Sequence, residues 1–322
     1  MTISEIARLA GVSTSTVSRV FSHHPNIRED VRDRVFQVAR EHGYRPRLTS
    51  RQKNVVIITP YNSDYPVHSC VDMLLMALTR ELPARGFRIE ILPHDNLARL
   101  AGIQFCGAVA IGAEPGDFRE WSERFAPPLV IVDRRAEQLP PEVYCVRSDE
   151  GQGMDLAIGH LAERGCRKIG CIIHGDPGTG NADARYEAIV KALKKRGLPF
   201  QDNLIYFSGP GTERYVDLIG KLLRQQVDAL FCPGGNAGIV SLYAFSLFNR
   251  RVPEDISLIA TEQTFFSEYA VPPQTTVTQN YEAVAAAVAD VIEARIDGRR
   301  AETVTVLPYR LIRRESVRMR TE

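Results

Sequence analysis

Residues 13–19, Ser-Thr-Ser-Thr-Val-Ser-Arg, put five hydroxyls and one guanidinium within seven positions. Side chains of these types, carried on one helix, can bond phosphate oxygens and base edges, and an arginine can offer two donors to O6 and N7 of guanine. The alternative is an ordinary solvated helix face, so the neighbouring elements decide. Val17, Val20 and Phe21 occupy the inward side of such a helix, which sends Thr14, Ser15, Ser18 and Arg19 outward. The helix N-terminus would also favour a nearby phosphate.

The elements that must hold this face can be read on both sides of it. Thr2 and Glu5 form a capping box that starts a helix. Ile6, Leu9 and Ala10 then recur at helical spacing, and Gly11 supplies the left-handed residue that ends it. Val12 tucks under the turn while Ser13 caps the second helix. A third helix fits Arg28 to His42, with Val31, Val35, Val38 and Ala39 on one face and Gly43 at its end. Three short helices with a tight glycine turn between the first two predict an all-α helix-turn-helix headpiece over 1–46.

Charge supports a polyanionic partner at this end. The whole chain of 322 residues carries only +1, yet residues 1–53 hold ten Lys/Arg against five acids, and the remainder holds 30 against 34. A basic module is therefore joined to a mildly acidic body.

The stretch "TISEIARLAGVSTSTVSRVF...REDVRDRVFQVAREHGYRP" closely resembles the headpiece of the LacI/GalR family of bacterial transcription regulators. The family pattern T-I-x-x-[VI]-A-x-x-A-G-V-S-x-x-T-V-S-R-V is intact, and Gly43-Tyr44-Arg45-Pro46 matches its end, with Arg47 where asparagine is usual. The resemblance implies that Thr14, Ser15 and Arg19 read bases while Ser13, Thr16, Ser18, Ser22, Asn26 and Tyr44 contact the backbone of double-stranded operator DNA. Arg47 joins the DNA-binding set.

The connection that follows departs from that family. Only RLTSRQKN lies between Pro46 and the first strand, Val55 to Thr59. Relatives have a longer hinge helix whose leucine wedges into the minor groove. Here Lys53 stands at the wedge position and Leu48 directly follows Arg47, so residues 47–53 read as a basic tether that tracks phosphates.

From residue 54 the pattern changes to apolar strands alternating with amphipathic helices. The strands are VVIITP, RIEIL, GAVAIG, PLVIVD, KIGCII, LIYF, ALFC and SLIAT; the helices run Cys70 to Arg85, Phe118 to Phe125, Gly153 to Arg164, Asp183 to Arg196, Glu213 to Gln225 and Gly238 to Asn249. Continuous apolar strands mean parallel sheets covered on both faces. The expectation is an α/β body, 54–322, of two doubly wound parallel-sheet subdomains with a cleft at their strand ends. This is similar to the type I periplasmic-binding-protein fold of the family's effector domain. By that resemblance the helix Tyr281 to Ile296 returns to the first subdomain (54–146 and 276–300), and TVTVLPYRLIRRES returns to the second (147–275 and 301–322). It also implies a stunted helix between RIEIL and GAVAIG.

Several classes of function lack their signatures. HGDPGTGN (174–181) and CPGGNAG (232–238) are Gly-rich after a strand, but neither has the GxxxxGK[ST] lysine or the GxGxxG spacing, so both read as cleft-lining loops rather than nucleotide sites. Asp133 and Glu262 follow apolar strands without a His or Ser partner, which suits binding rather than catalysis. Six cysteines, Cys70, Cys106, Cys145, Cys166, Cys171 and Cys232, form no CxxC pair and read as reduced and buried. No run of 18 apolar residues occurs, and MTISEIARLAG lacks the basic start and apolar stretch of a signal peptide. The expectation is a cytoplasmic, non-enzymatic protein without cofactor or metal.

The resemblance carries effector contacts onto Arg185, Asp133, Tyr281, Tyr61 and Tyr65. Three positions depart from the family. Ala188 replaces a glycine, Ala260-Thr261-Glu262-Gln263 replaces G-[YF]-D-D so that Glu262 stands for the ligand aspartate, and Gly234-Gly235 replaces an Asn-Asp pair, displacing Asn236. The function expected is that of a homodimeric, sequence-specific regulator, a repressor, controlled by a sugar-like effector. The alternatives are a regulator with weak or no effector response, or a solute-binding protein of the periplasmic type. The latter would not carry residues 1–46, and a Rossmann-type enzyme would need the missing phosphate fingerprint.

Overall fold

The computed structural model describes residues 2–21, 26–44, 53–60, 70–135, 138–262 and 265–318. Helix α1 (Ile3–Ala10) begins at the expected capping box: Glu5 N donates to Thr2 Oγ1 at 3.4 Å, and Thr2 N donates to Glu5 Oε2 at 2.6 Å. Gly11 ends it at φ +64°, and Val12 N donates back to Ala7 O at 3.0 Å. Helix α2 (Thr14–Phe21) is capped by Ser13 Oγ, which accepts from Thr16 N at 3.1 Å. Helix α3 (Glu29–Glu41) closes the module, and Phe36 meets Phe21 edge to face at 5.5 Å.

Two details of the headpiece core correct the helical periodicity. Ala7 is buried beside Ile6 and Ala10, while Leu9 is 43% exposed. On α3 the buried residues are Val35, Phe36 and Ala39, whereas Val31 and Val38 are only half-buried. A stripe 100° wide admits several choices of centre, and the close approach of α1 to the other helices selects the one carrying the small Ala7.

The body runs β1 (Asn54–Thr59), α4 (Cys70–Ala84), β2 (Arg88–Pro93), β3 (Gly107–Ile111), α5 (Trp121–Arg124), β4 (Leu129–Val132) and β5 (Val143–Ser148). It continues with α6 (Glu150–Glu163), β6 (Ile169–Ile173), α7 (Gly180–Lys195), β7 (Ile205–Phe207), α8 (Tyr215–Arg224), β8 (Ala229–Cys232), α9 (Ala237–Leu247), β9 (Ser257–Thr261), α10 (Phe265–Tyr269) and β10 (Thr275–Thr278). The chain ends with α11 (Tyr281–Ile296), β11 (Val304–Leu307) and β12 (Arg310–Ile312). Among the described residues there are two six-stranded sheets, ordered β11-β5-β4-β3-β1-β2 and β12-β10-β9-β8-β6-β7. The first belongs to a unit of 1–63, 74–147 and 282–305, the second to a unit built chiefly from 148–281 and 306–322. Strands β1 to β5 pair in parallel in the first sheet, as do β6 to β10 in the second, with β12 antiparallel to β10.

The strand assignments near the C-terminus differ from expectation. Residues 275–278 pair with β9, Val277 opposite Thr261, and so extend the second sheet rather than the first. Residues 304–307 lie beside β5 in the first sheet rather than the second, and Cys145 N donates to Thr303 O at 2.8 Å. Short segments such as TTVT and VTVL carry no signal of which sheet they join, because pairing is settled by register with distant strands. The stretch read as one helix from Phe118 to Phe125 is a 3₁₀ turn, Pro115–Phe118, followed by the four-residue α5. Trp121 there packs on Phe105, Phe118 and Phe125 and donates from Nε1 to Pro127 O at 2.8 Å. The stunted element between β2 and β3 is a 3₁₀ helix, His94–Gly102. Cys70 is exposed, and the other five cysteines are buried. Among the described residues, no helix is long and apolar enough to cross a membrane.

A β-carbon at Gly11 meets no atom within 4 Å, so only its left-handed backbone resists substitution. Gly11→Ala is expected to destabilise the headpiece by about 1 kcal/mol. Amide hydrogen exchange in α1 and α2 of the full chain should accelerate accordingly, while exchange in β3 and β8 stays unchanged.

Candidate functional site

On α2 the residues divide cleanly by face. Val17 and Val20 are fully buried, whereas Ser13, Thr14, Ser15, Ser18 and Arg19 are exposed and Thr16 is half-buried. Ser13 Oγ lies 2.8 Å from both Ser15 Oγ and Thr16 Oγ1 while it caps the helix. Ser13 and Thr16 therefore shape the helix start, and Thr14, Ser15, Ser18 and Arg19 form the outward row. Asn26 is exposed. Tyr44 is half-buried, its ring edge to face with Phe21 at 5.7 Å, and burial pushes its phenol above the ordinary range. Its ring is thus part of the headpiece packing. Ser22 and Arg47, and the tether up to residue 52, lie outside the described residues.

In the second unit, ligand-type residues gather at the carboxyl edge of the sheet. His174 follows β6, Gly234-Gly235-Asn236 follow β8, and Glu262 follows β9. His174 N donates to Pro233 O at 3.2 Å, and Gly234 N donates to Thr261 Oγ1 at 2.6 Å, which ties the three strand ends together. Arg185 reaches this edge from α7. Its Nε donates to Glu150 Oε2 at 3.2 Å and its Nη2 to Glu150 Oε1 at 2.9 Å, with the two side chains only 13% and 12% exposed. Glu150 is the first residue of α6, whose N-cap Asp149 accepts from Gln152 N at 3.0 Å.

The Gly234-Gly235 pair has a steric reason. Both residues adopt positive φ, +91° and +59°. A β-carbon on Gly234 would stand 2.6 Å from Arg185 Nη1 and 3.0 Å from His174 Cβ; one on Gly235 would stand 2.8 Å from His174 Nδ1. The loop lies flat on the guanidinium and the imidazole, so the two positions need glycine where the family has Asn-Asp. Burial, with the Arg185 charge beside it, holds His174 below the ordinary imidazole range.

Glu262 sits differently from its expected role. It is 5% exposed, accepts from Arg314 Nη1 at 2.9 Å and Nη2 at 3.3 Å, and accepts from the Thr276 hydroxyl. Arg314 also donates to Gln274 O at 2.7 Å. The pair stitches β9, β10 and the segment after β12, and it engages both carboxylate oxygens. Asn236 is half-buried at the N-cap of α9, and Tyr281 is buried at the start of α11. Asp133 belongs to the first unit, where it follows β4 at φ +62° and is half-buried. Tyr61 and Tyr65 lie outside the described residues.

Two residues of this edge, His174 and Glu150, were not singled out from sequence. The acidic pair Asp149-Glu150 ahead of GQGMDL could have marked the helix start, three residues before the expected Gly153. His174 opens the stretch HGDPGTGN, where the glycines dominate the sequence pattern.

A helix-turn-helix module followed by two parallel α/β units is the architecture of a ligand-controlled DNA-binding regulator, and comparison with known proteins agrees. Residues 2–47 match the model described as bacterial regulatory proteins, lacI family, and residues 158–317 match a periplasmic binding protein-like domain. The chain belongs to the lacI family and is a DNA-binding transcriptional regulator. It is 27% identical over 300 residues to the HTH-type transcriptional regulator DegA of Bacillus subtilis, covering 86% of each chain. It is 27% identical over 336 residues to GalR of Streptococcus thermophilus, covering 98% of this chain and 99% of that one. Its structure is similar to the transcriptional regulator CelR–cellobiose complex, with TM-score 0.72, 26% identity and coverage of 98% and 99%. A Lac repressor dimer bound to operator and an anti-inducer shares the fold, with TM-score 0.69, 17% identity and coverage of 98% of each chain.

A pH dependence follows from His174. Its folded pKa lies below the unfolded value near 6.5, so between the two the unfolded chain binds more protons and stability is lost as the pH falls. His160, also held low by burial, contributes in the same direction. Urea midpoints of the second unit should drop between pH 7 and pH 5, and His174→Asn should shrink that drop; an unchanged drop would remove His174 from the account.

Proposed function

We propose that the chain is a homodimeric repressor that reads operator half-sites through α2 and responds to a small carbohydrate-like solute held at the carboxyl edge of the second sheet. The observation that carries the first part is the outward row Thr14, Ser15, Ser18 and Arg19 above a buried Val17 and Val20. The hydroxyls suit phosphate and base-edge contacts, and Arg19 suits a guanine. Ser13, Thr16, Ser22, Asn26, Tyr44 and Arg47 complete the proposed interface. Residues 47–53 serve as a phosphate-tracking tether, with Lys53 where relatives insert a leucine.

Two half-sites call for two headpieces related by a two-fold axis. Exposed apolar side chains support a self-association surface on the second unit: Tyr243 and Leu247 on α9, Phe265 and Tyr269 on α10 with rings 5.0 Å apart, and Val271, which is 90% exposed.

The effector reading rests on Arg185, His174 and Asn236 at one edge, and on the cellobiose bound by the similar regulator CelR. Tyr281 remains part of the proposed set, Asp133, Tyr61 and Tyr65 stand as proposed effector contacts from the family resemblance alone, and Glu262 acts through its pairing with Arg314 to shape the edge. A regulator without effector response is the second reading, favoured by the internal pairing of both Arg185 and Glu262.

Arg19→Ala should lower affinity for a selected operator by about 1–3 kcal/mol per half-site and leave non-specific DNA binding nearly unchanged at fixed salt. Equal losses on both DNAs in a gel-shift would count against base reading. Val271→Asp should shift the dimer toward monomer in sedimentation velocity; an unchanged sedimentation coefficient would place the dimer surface elsewhere.

A further inference from the structure

The pairing of Arg185 bears on which solutes the second unit accepts. An arginine at a ligand-binding edge is the usual means of holding a phosphate or carboxylate, because its fork of N–H donors matches two oxygens at once. In this chain one such fork, Nε and Nη2, is already matched by the two oxygens of Glu150, at 3.2 and 2.9 Å. Its Nη1 lies against Gly234, close enough that a β-carbon there would be only 2.6 Å away.

We infer that Glu150 is a built-in counter-ion that occupies Arg185 in place of an anionic ligand group, so that this edge selects an uncharged polyhydroxyl solute over sugar phosphates and sugar acids. The inference rests on the effector reading above and names the class of solute for that same site.

The surrounding charges act in the same direction. Glu262 is balanced by Arg314, so it leaves no net charge at the neighbouring strand end. His174 stays neutral near pH 7 and brings no cation. Asp176 is exposed in the loop after β6, and Asp183, half-buried on α7, accepts from Gly178 N at 3.0 Å. Both acids sit on the elements that carry His174 and Arg185. An incoming phosphate would have to expel Glu150, which is 12% exposed, and would leave a carboxylate and a phosphate facing one guanidinium. Like charges at such short range in a poorly solvated site repel strongly. A hydroxyl needs no such exchange, since it can accept from arginine and donate to a carboxylate while the pair stays intact.

Thermal-shift titrations of the full chain test the inference, with inorganic phosphate and glucose 6-phosphate as anionic probes and potassium chloride matching ionic strength. The unaltered protein should show no saturable shift with either anion. Glu150→Gln should gain a saturable shift with phosphate, and Glu150→Gln combined with Arg185→Ala should lose it again. Glu150→Ser provides the same comparison if the glutamine variant melts too early to titrate. A saturable, Arg185-dependent shift in the unaltered protein would overturn the inference, as would the failure of both Glu150 variants to gain anion binding. The effector reading fails on a different result: cellobiose, glucose and other neutral sugars leaving operator affinity unchanged. Anion binding by the unaltered protein would leave that reading standing.

Discussion

An eight-residue helix does not hold itself together in water, so α2 depends on burying Val17 and Val20 among Ile6, Ala7, Ala10, Val35 and Phe36. That burial does more than stabilise. Because the helical period is fixed, placing these two valines inward leaves no freedom in where Thr14, Ser15, Ser18 and Arg19 point. The turn at Gly11, the Ser13 cap and the edge-to-face contact of Phe21 with Phe36 all serve the same geometry. The outward row proposed to read DNA is thus a by-product of packing a very small core, and a change in the core is felt at the row.

The second unit follows a different logic. Its ligand-type residues are not presented on a rigid helix but gathered from the ends of β6, β8 and β9 and from two helices. Their charges cancel locally: Arg185 with Glu150, and Arg314 with Glu262. Buried pairs of this kind add little net stability, because desolvation offsets most of their attraction. Their effect is on what the edge can bind and on how tightly the loop of Gly234 and Gly235 must lie against Arg185 and His174. The glycines that looked like a loss of ligand groups are the sterically required partners of a bulky histidine.

Much of this was legible from residue order. The headpiece helices, the capping box, the glycine turn and the outward row followed from local spacing, as did most strands and helices of the body. Residue order is ambiguous where a local pattern admits several solutions. Leu9 and Ala7 are both plausible inward residues of α1, and the neighbouring helices choose Ala7. The 118–125 stretch has helical spacing of aromatics, but the packing of Trp121 with three phenylalanines closes it into a 3₁₀ turn and one short helix. The subdomain bounds 276–300 and 301–322 separate the strands at 275–278 and 304–307 from the sheets they join, since a four-residue strand is assigned by its distant partner and not by its own composition.

Residue order alone carries the module order, the charge asymmetry and the face of α2, because each rests on local runs of the chain. Folding brings Arg185 to Glu150 across 35 positions and Glu262 to Arg314 across 52. Whether a charged group is available to a ligand or consumed by a neighbour depends on long-range approach in three dimensions, and spacing along the chain carries no record of that distance.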